Sequence, residues 1–200
     1  MLGKGLKPLG ATDDYHAALD PRPRTITAAV LSRAPDRWYD TRMAKKSTAG
    51  ILMHRSCAST FEVLLVHPGG PFWAKKDAGT WSIPKGEIEA EEDPLQAAKR
   101  EFQEETGFAV EGNFIELTPL KQPSGKLVRA WAVEGDCQPE SIKSNTFSLE
   151  WPPRSGKRQE FPEVDRAGWF TLAVAKEKIS KGQLALLEEL QQKLEKSNAS

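Results

Sequence analysis

The sequence predicts an α/β fold in which a mixed β-sheet is covered by helices on both faces. Three observations carry this. Short β-rich runs stand before and after one strongly signalled central helix. A leucine-striped helix closes the chain. An apolar content of 38% over 200 residues suits one globular domain.

Residues 1–42 differ from the rest. "DPRPRTITAAVLSRAPDRWYDTR" carries three prolines and five arginines, and only "TITAAVL" offers a strand or helix signal. The segment is expected to be a poorly ordered N-terminal extension, or the product of an upstream start. Met43 then opens a domain expected to span 43–196. Acidic residues mixed with the arginines argue against an organelle-targeting helix.

From Ser47 onward the signals are regular. "TAGILMHR" and "FEVLLVHP" read as two strands of a hairpin, and "GGPFWAKKDAG" is a loop by its glycines and proline. "WSIP" reads as a short strand entering Lys85-Gly86. Asp93-Pro94 supplies an N-cap with proline at the first helical position, and Gly107 a stop, so a helix is expected over roughly 94–106. "NFIELTPLKQ" and "KLVRAWAVEG", with a turn at Pro123-Ser124-Gly125, form a second hairpin. "EWPPRSGKRQEFPEVD" reads as a long polar loop and "RAGWFTL" as a strand. Leu184, Leu187, Leu190 and Leu194 then recur on one stripe of a core-facing terminal helix.

Charge and cysteine content narrow the function classes. Basic and acidic side chains number 28 each, so specificity for a polyanion must come from a local site. Cys57 and Cys137 show no CxxC pattern, which argues for free thiols in a reducing compartment. No window approaches 18 apolar residues and the N-terminus has no apolar leader core, so a soluble cytoplasmic protein is expected, without membrane partners.

The central helix holds the chemistry. Glu101, Glu104 and Glu105 stand at i, i+3 and i+4 and share one helix face. Three like charges destabilise a bare helix, and two of these sit near its C-terminal end, where the macrodipole disfavours anions. A hard divalent cation reverses the sign of that interaction, because carboxylate oxygens are what Mg²⁺ or Mn²⁺ prefers. Leu95, Ala98 and Phe102 form the adjoining apolar stripe that buries the helix. Arg100 can orient a neighbouring glutamate through a bidentate contact. Glu92 precedes the helix, and Gly86 permits close backbone approach.

These residues match the Nudix signature GX5EX7REUXEEXGU through Gly86, Glu92, Arg100, Glu101, Phe102, Glu104, Glu105, Gly107 and Phe108. At about 7% for each of seven fixed positions, chance agreement is on the order of 10⁻⁸ per window, which sets aside a merely solvated acidic helix. The chain therefore resembles Nudix hydrolases over about residues 45–195. The resemblance implies an α/β/α sandwich and Mg²⁺-dependent hydrolysis of a nucleoside diphosphate linked to another group. It implies that Glu101, Glu104 and Glu105 bind metal, one of them a candidate general base, with Glu92 and Arg100 in support and the Gly86 carbonyl completing the coordination. Lys85 and the loop lysines Lys75 and Lys76 are candidate phosphate contacts, against ordinary surface solvation.

Many members use a further glutamate from outside this motif. Glu163, six residues before Trp169, is favoured over Glu160 by its spacing, against the alternative of a loop salt bridge. Trp131, Trp151, Phe147 and Trp73 are candidate stacking platforms; Trp131 alternates as a core residue does, and Trp151 is the better ligand candidate. Arg154, Lys157 and Arg158 surround it and can steer a polyphosphate. His54 and His67 lack ligand spacing and read as structural.

The entrance "WSIPKGEIE" is similar to that of the diadenosine tetraphosphate hydrolase branch, so dinucleoside polyphosphates are the expected substrates. The downstream tyrosine of some such members is absent, since the only tyrosines are Tyr15 and Tyr39. Pro123 has a spacing seen in ADP-ribose pyrophosphatases, although its turn explains it equally. The alternatives are a nucleoside triphosphate or ADP-ribose pyrophosphatase, and a nucleotide-binding regulatory module without activity. The intact motif speaks against the last. Neutral net charge gives no support to 5′-triphosphorylated RNA as substrate.

Overall fold

The computed structural model describes residues 47–57, 60–122 and 125–198. The expected extension over 1–42, the Met43 boundary and the Pro123-Ser124 turn lie outside these residues.

Within them the sheet is built on β1 (Ser47–Cys57) and β2 (Thr60–Pro68), an antiparallel hairpin as predicted. β3 (Lys85–Glu87) pairs antiparallel with the start of β1 on the same edge as β2, and β6 (Leu127–Glu134) runs parallel to β1 along its other edge. Two short strands, β4 (Ile115–Glu116) and β5 (Leu120–Lys121), both pair antiparallel with β6. β9 (Val164–Thr171) closes the edge beside β2, giving a seven-stranded mixed sheet with β4-β6-β1-β2-β9 as its main order.

Side-chain alternation along β1 divides the core. Ala49, Ile51 and Met53 face one way with Leu64, Trp131 and Val133, and there they meet Ala97, Ala98 and Phe102 of helix α1 (Pro94–Thr106). Leu52 faces the other way with Val63, Leu65 and Ile83. That face is covered by α2 (Leu172–Lys178) and α3 (Leu184–Asn198), through Ala175, Leu186, Leu187 and Leu190. A one-residue slip of β1 would exchange the two faces, so both helical layers lock its register. Leu95 is only half-buried, and Ala97 takes the core position beside Ala98. The terminal stripe holds as predicted, with Leu186 added to it.

Two expectations need correction. "WSIP" forms only isolated bridges, Trp81 with Ile179 and Ser82 with Val66, while the strand proper begins at Lys85. The predicted long polar loop, Glu150 to Asp165, instead holds the turn and second strand of an antiparallel hairpin of β7 (Thr146–Glu150) and β8 (Arg158–Pro162), and the start of β9. The hairpin's alternation is carried by Phe147, Leu149 and Phe161, with polar residues and Trp151-Pro-Pro diluting the pattern. Cys57 and Cys137 are both free, as expected. Among the described residues no helix is long and apolar enough to cross a membrane.

Candidate active site

Helix α1 begins and ends as its sequence demands. The Asp93 carboxylate accepts hydrogen bonds from the Leu95 and Gln96 amides, both at 3.0 Å. Gly107 ends the helix at φ 80° and donates its N–H to the Gln103 carbonyl. No basic residue occupies the last turn. Glu104 and Glu105 therefore face the negative end of the helix without compensation from the helix itself.

Arg100 is the organising cation. Its Nε and Nη2 grip Glu92 bidentately, both at 2.9 Å. Nη1 reaches Glu101 at 2.8 Å and Glu104 at 3.4 Å, and Nη2 also donates to the Glu87 carbonyl at 2.9 Å. The Glu89 amide in turn donates to Glu92. One guanidinium thus ties the loop before the helix to two glutamates on it. Hydrogen bonding to Glu92, and then to Glu101, raises the Arg100 pKa well above its ordinary value, and Arg100 holds Glu92 below the usual carboxylate range.

The glutamates differ from one another. Burial pushes Glu101 up, partly offset by Arg100, with Glu104 and Glu163 adding to the rise. Burial pushes Glu105 up to about 7, against the opposing Lys85 charge, with Glu101 and Glu163 contributing. The Lys85 amide donates to Glu105 Oε2 at 3.1 Å. Glu104 is the open one, its side chain 37% exposed against 12% for Glu101. A Cβ at position 86 would overlap the Glu101 carboxylate, so any residue but glycine there must displace that side chain.

The structure brings together Lys85, Gly86, Glu92, Arg100, Glu101, Glu104 and Glu105. Glu163 stands near enough for its charge to act on both Glu101 and Glu105. Its backbone is held by the Asn145 carbonyl and the Gly69 amide, each bond 2.8 Å. Lys75 is exposed on the loop between β2 and Trp81, while Trp151 and Arg154 occupy the turn of the β7–β8 hairpin. Trp131 is not available, being 6% exposed in the core. Arg158 folds back onto Ser148. His54 and His67 are buried, and His67 bridges Asp165 at 2.7 Å and the Lys76 carbonyl at 2.8 Å, in keeping with structural roles. Sequence reasoning missed two contributors. The Glu87 carbonyl and Lys85 amide act through the backbone and leave no side-chain signal. Phe72, 55% exposed, could have been noticed as a large aromatic residue just after Gly-Gly-Pro.

The donor set facing this site is carboxylate oxygen throughout, which suits Mg²⁺ or Mn²⁺. Among the described residues no three such side chains already converge on one point, because Arg100 draws Glu101 and Glu104 to itself.

A mixed sheet between helical layers, with a helix setting Glu101 and Glu105 against a glycine-containing strand and Glu104 beside them, defines an α/β/α protein with an acidic helix–strand site. The NUDIX domain model matches residues 44–190, and the chain belongs to that family. The Caenorhabditis elegans Ap4A hydrolase, in a binary complex, superposes with a TM-score of 0.53 at 22% identity, covering 74% of this chain and 96% of that one. The NUDIX domain of Shewanella oneidensis NrtR, complexed with ADP ribose, gives 0.53 at 18% identity, covering 75% and 88%. At these identities the likeness is one of fold. An octanoyltransferase of Myxococcus xanthus is 32% identical over 101 residues, 50% of this chain and 25% of that protein, so the chain spans a quarter of that relative's length.

Proposed function

We propose that this Nudix domain is a pyrophosphohydrolase that cleaves a nucleoside diphosphate linked to another group, with dinucleoside polyphosphates such as diadenosine tetraphosphate as substrates. The observation that carries the reading is the set of Glu101, Glu104 and Glu105 on one helix face, the first two held by Arg100 and the third by the Lys85 amide, with burial raising Glu101 and Glu105. Such a cluster is costly for a helix and useful for phosphoanhydride chemistry.

Glu101, Glu104 and Glu105, with the Gly86 carbonyl, would hold a Mg²⁺ or Mn²⁺ ion. When bound, such an ion activates water and neutralises charge on the phosphate oxygens. The chain's own groups have separate tasks. Arg100 fixes Glu101 and Glu104 beside Glu92. Glu105 takes a proton from water at Oε1, since Oε2 already accepts the Lys85 amide. Glu163 adds negative charge that favours cation binding. Lys85, Lys75 and Arg154 offer positive charge to the phosphate chain. The dinucleotide preference rests on the "WSIPKGEIE" entrance and its similarity to the diadenosine tetraphosphate hydrolase branch.

The test is a substrate panel with Mg²⁺ and Mn²⁺: dinucleoside polyphosphates, nucleoside triphosphates, ADP-ribose, NADH and triphosphorylated RNA. Cation-dependent turnover, highest on dinucleoside polyphosphates, is expected. Highest turnover on another member would replace the substrate assignment. Tight binding without turnover of any would replace hydrolysis with a binding role.

A further inference from the structure

The β7–β8 hairpin and the loop over residues 69–80 contribute nothing to the main core. Neither buried cluster on the two sheet faces contains a residue from β7 or β8. Yet the hairpin carries Phe147, Trp151 and Phe161, and the loop presents Phe72 at 55% and Trp73 at 39% exposure. These aromatics meet one another. Phe72 and Trp151 pack edge to face with ring centroids 5.4 Å apart, and Phe147 lies 6.2 Å from Phe161.

The loop is not loosely held. His67 donates to the Lys76 carbonyl, Gly79 donates to the Glu177 carbonyl, and Asp77 accepts from Trp81 Nε1 at 2.7 Å and Lys178 at 2.8 Å. These bonds fasten the far end of the loop, Gly69 and the Trp73 bond to the Gly70 carbonyl fasten its start, and Phe72 stands exposed between them outside both core clusters. The hairpin is fastened to the carboxylate site itself. At its base, Asn145 donates to the Glu104 carbonyl and Lys143 to the Thr106 carbonyl, both at 3.0 Å, while Gly69 donates to Glu163. The base of the hairpin and the start of the loop therefore meet beside the glutamates.

Charge identifies what fits between them. Lys75, Arg154 and Lys157 stand on these two segments, and their side chains form no ion pair among the described residues. Lys76 Nζ lies 4.4 Å from the Trp73 ring centre, so this aromatic face also carries a cation. An aromatic surface edged with unpaired cations, next to an acidic site, suits a planar ring attached to a polyanion.

We propose that the 69–80 loop and the β7–β8 hairpin form an aromatic clamp for one nucleobase of the substrate, with Phe72 as its specificity-determining residue. The base lies on the open face of Phe72 beside Trp151, and the loop and hairpin cations follow the phosphate chain toward Glu104. This deepens the proposed hydrolysis and rests on it for the identity of the polyanion.

The experiment uses the full chain with diadenosine tetraphosphate as substrate and inorganic tripolyphosphate, which has no base, as competitive inhibitor. Phe72→Ala is expected to raise KM about tenfold with a far smaller change in kcat, while Phe72→Tyr restores KM to within about twofold. Inhibition by tripolyphosphate is expected to be the same in all three proteins. An unchanged KM in Phe72→Ala, or an equal weakening of tripolyphosphate, would overturn the clamp. A Phe72-dependent change of oligomeric state at constant KM would also overturn it, and would assign the surface to a second copy of this chain. If the wild type cleaves no substrate, the hydrolytic reading fails separately, and the clamp is then read from tryptophan quenching by diadenosine tetraphosphate. Quenching lost in Phe72→Ala supports it, and quenching retained refutes it.

Discussion

The carboxylate helix and the hairpin–loop surface lie side by side but are built in opposite ways. Around α1 the polar groups are half-buried and bonded to each other, with one arginine holding three glutamates. Across the neighbouring surface Phe72 and Trp73 stand exposed, and among the described residues Lys75, Arg154 and Lys157 form no ion pair. The first region is organised before any ligand arrives. The second offers partners that only a ligand can use. Under the proposed function, reaction and substrate choice fall to different segments, and each variant below tests whether that division holds.

The largest effect is expected from Glu104→Gln and Glu105→Gln. Each keeps the side-chain shape and removes the charge, so turnover should fall about a thousandfold or more while nucleotide affinity at the hairpin changes little. Circular dichroism should match wild type in both variants, and Glu104→Gln should keep the wild-type melting transition. Turnover near the wild-type value in both variants would remove the catalytic assignment. A collapse of binding in step with turnover would break the division between the regions.

Gly86→Ala comes next. The added methyl must displace the Glu101 carboxylate, and a displacement of about an ångström at a catalytic group costs roughly a hundredfold in kcat. Arg100→Lys should cost less, about tenfold, because the charge remains while the bidentate grip on Glu92 is lost. If Arg100→Lys proves worse than Gly86→Ala, the arginine does more than orient glutamates, and the transition state becomes the place to look for its partner.

The same contrast explains what could be read from sequence. The helix limits and the glutamate face were legible because Asp93-Pro94, Gly107 and the i, i+3, i+4 spacing are local signals. The Lys85 amide bond to Glu105 was not, since backbone donors have no side-chain code. The β7–β8 hairpin was missed because its two strands have little core to face, which leaves their alternation faint. Phe72 and Trp151 are 79 positions apart, and only the converging loop and hairpin make them neighbours.

The smallest effect is thermodynamic and separates the regions without any substrate. Glu105 titrates near 7 in the fold, against an ordinary value of 4.5. Between those values the folded protein keeps a proton that the unfolded chain has released, so stability must fall as pH rises through this window. Below it both states are protonated and the contribution is complete; above about 7 both are ionised and it is gone. The loss is on the order of 1–3 kcal/mol, which for a domain of this size lowers Tm by several degrees. Glu101, also pushed up by burial, acts in the same direction, whereas Glu92 is held down by Arg100 and acts in the opposite one. The comparison of wild type with Glu105→Gln isolates the term. In cation-free buffer the variant should show a visibly shallower fall in Tm between pH 5 and pH 8 (about three units spanning the window). Phe72→Ala should keep the wild-type slope, because its ring bears no titrating group. Added Mg²⁺ should flatten the wild-type slope by favouring the ionised carboxylates. Equal slopes in wild type and Glu105→Gln would show that Glu105 is solvated like any surface glutamate, and the helix would then lose its claim to be the prepared half of the site.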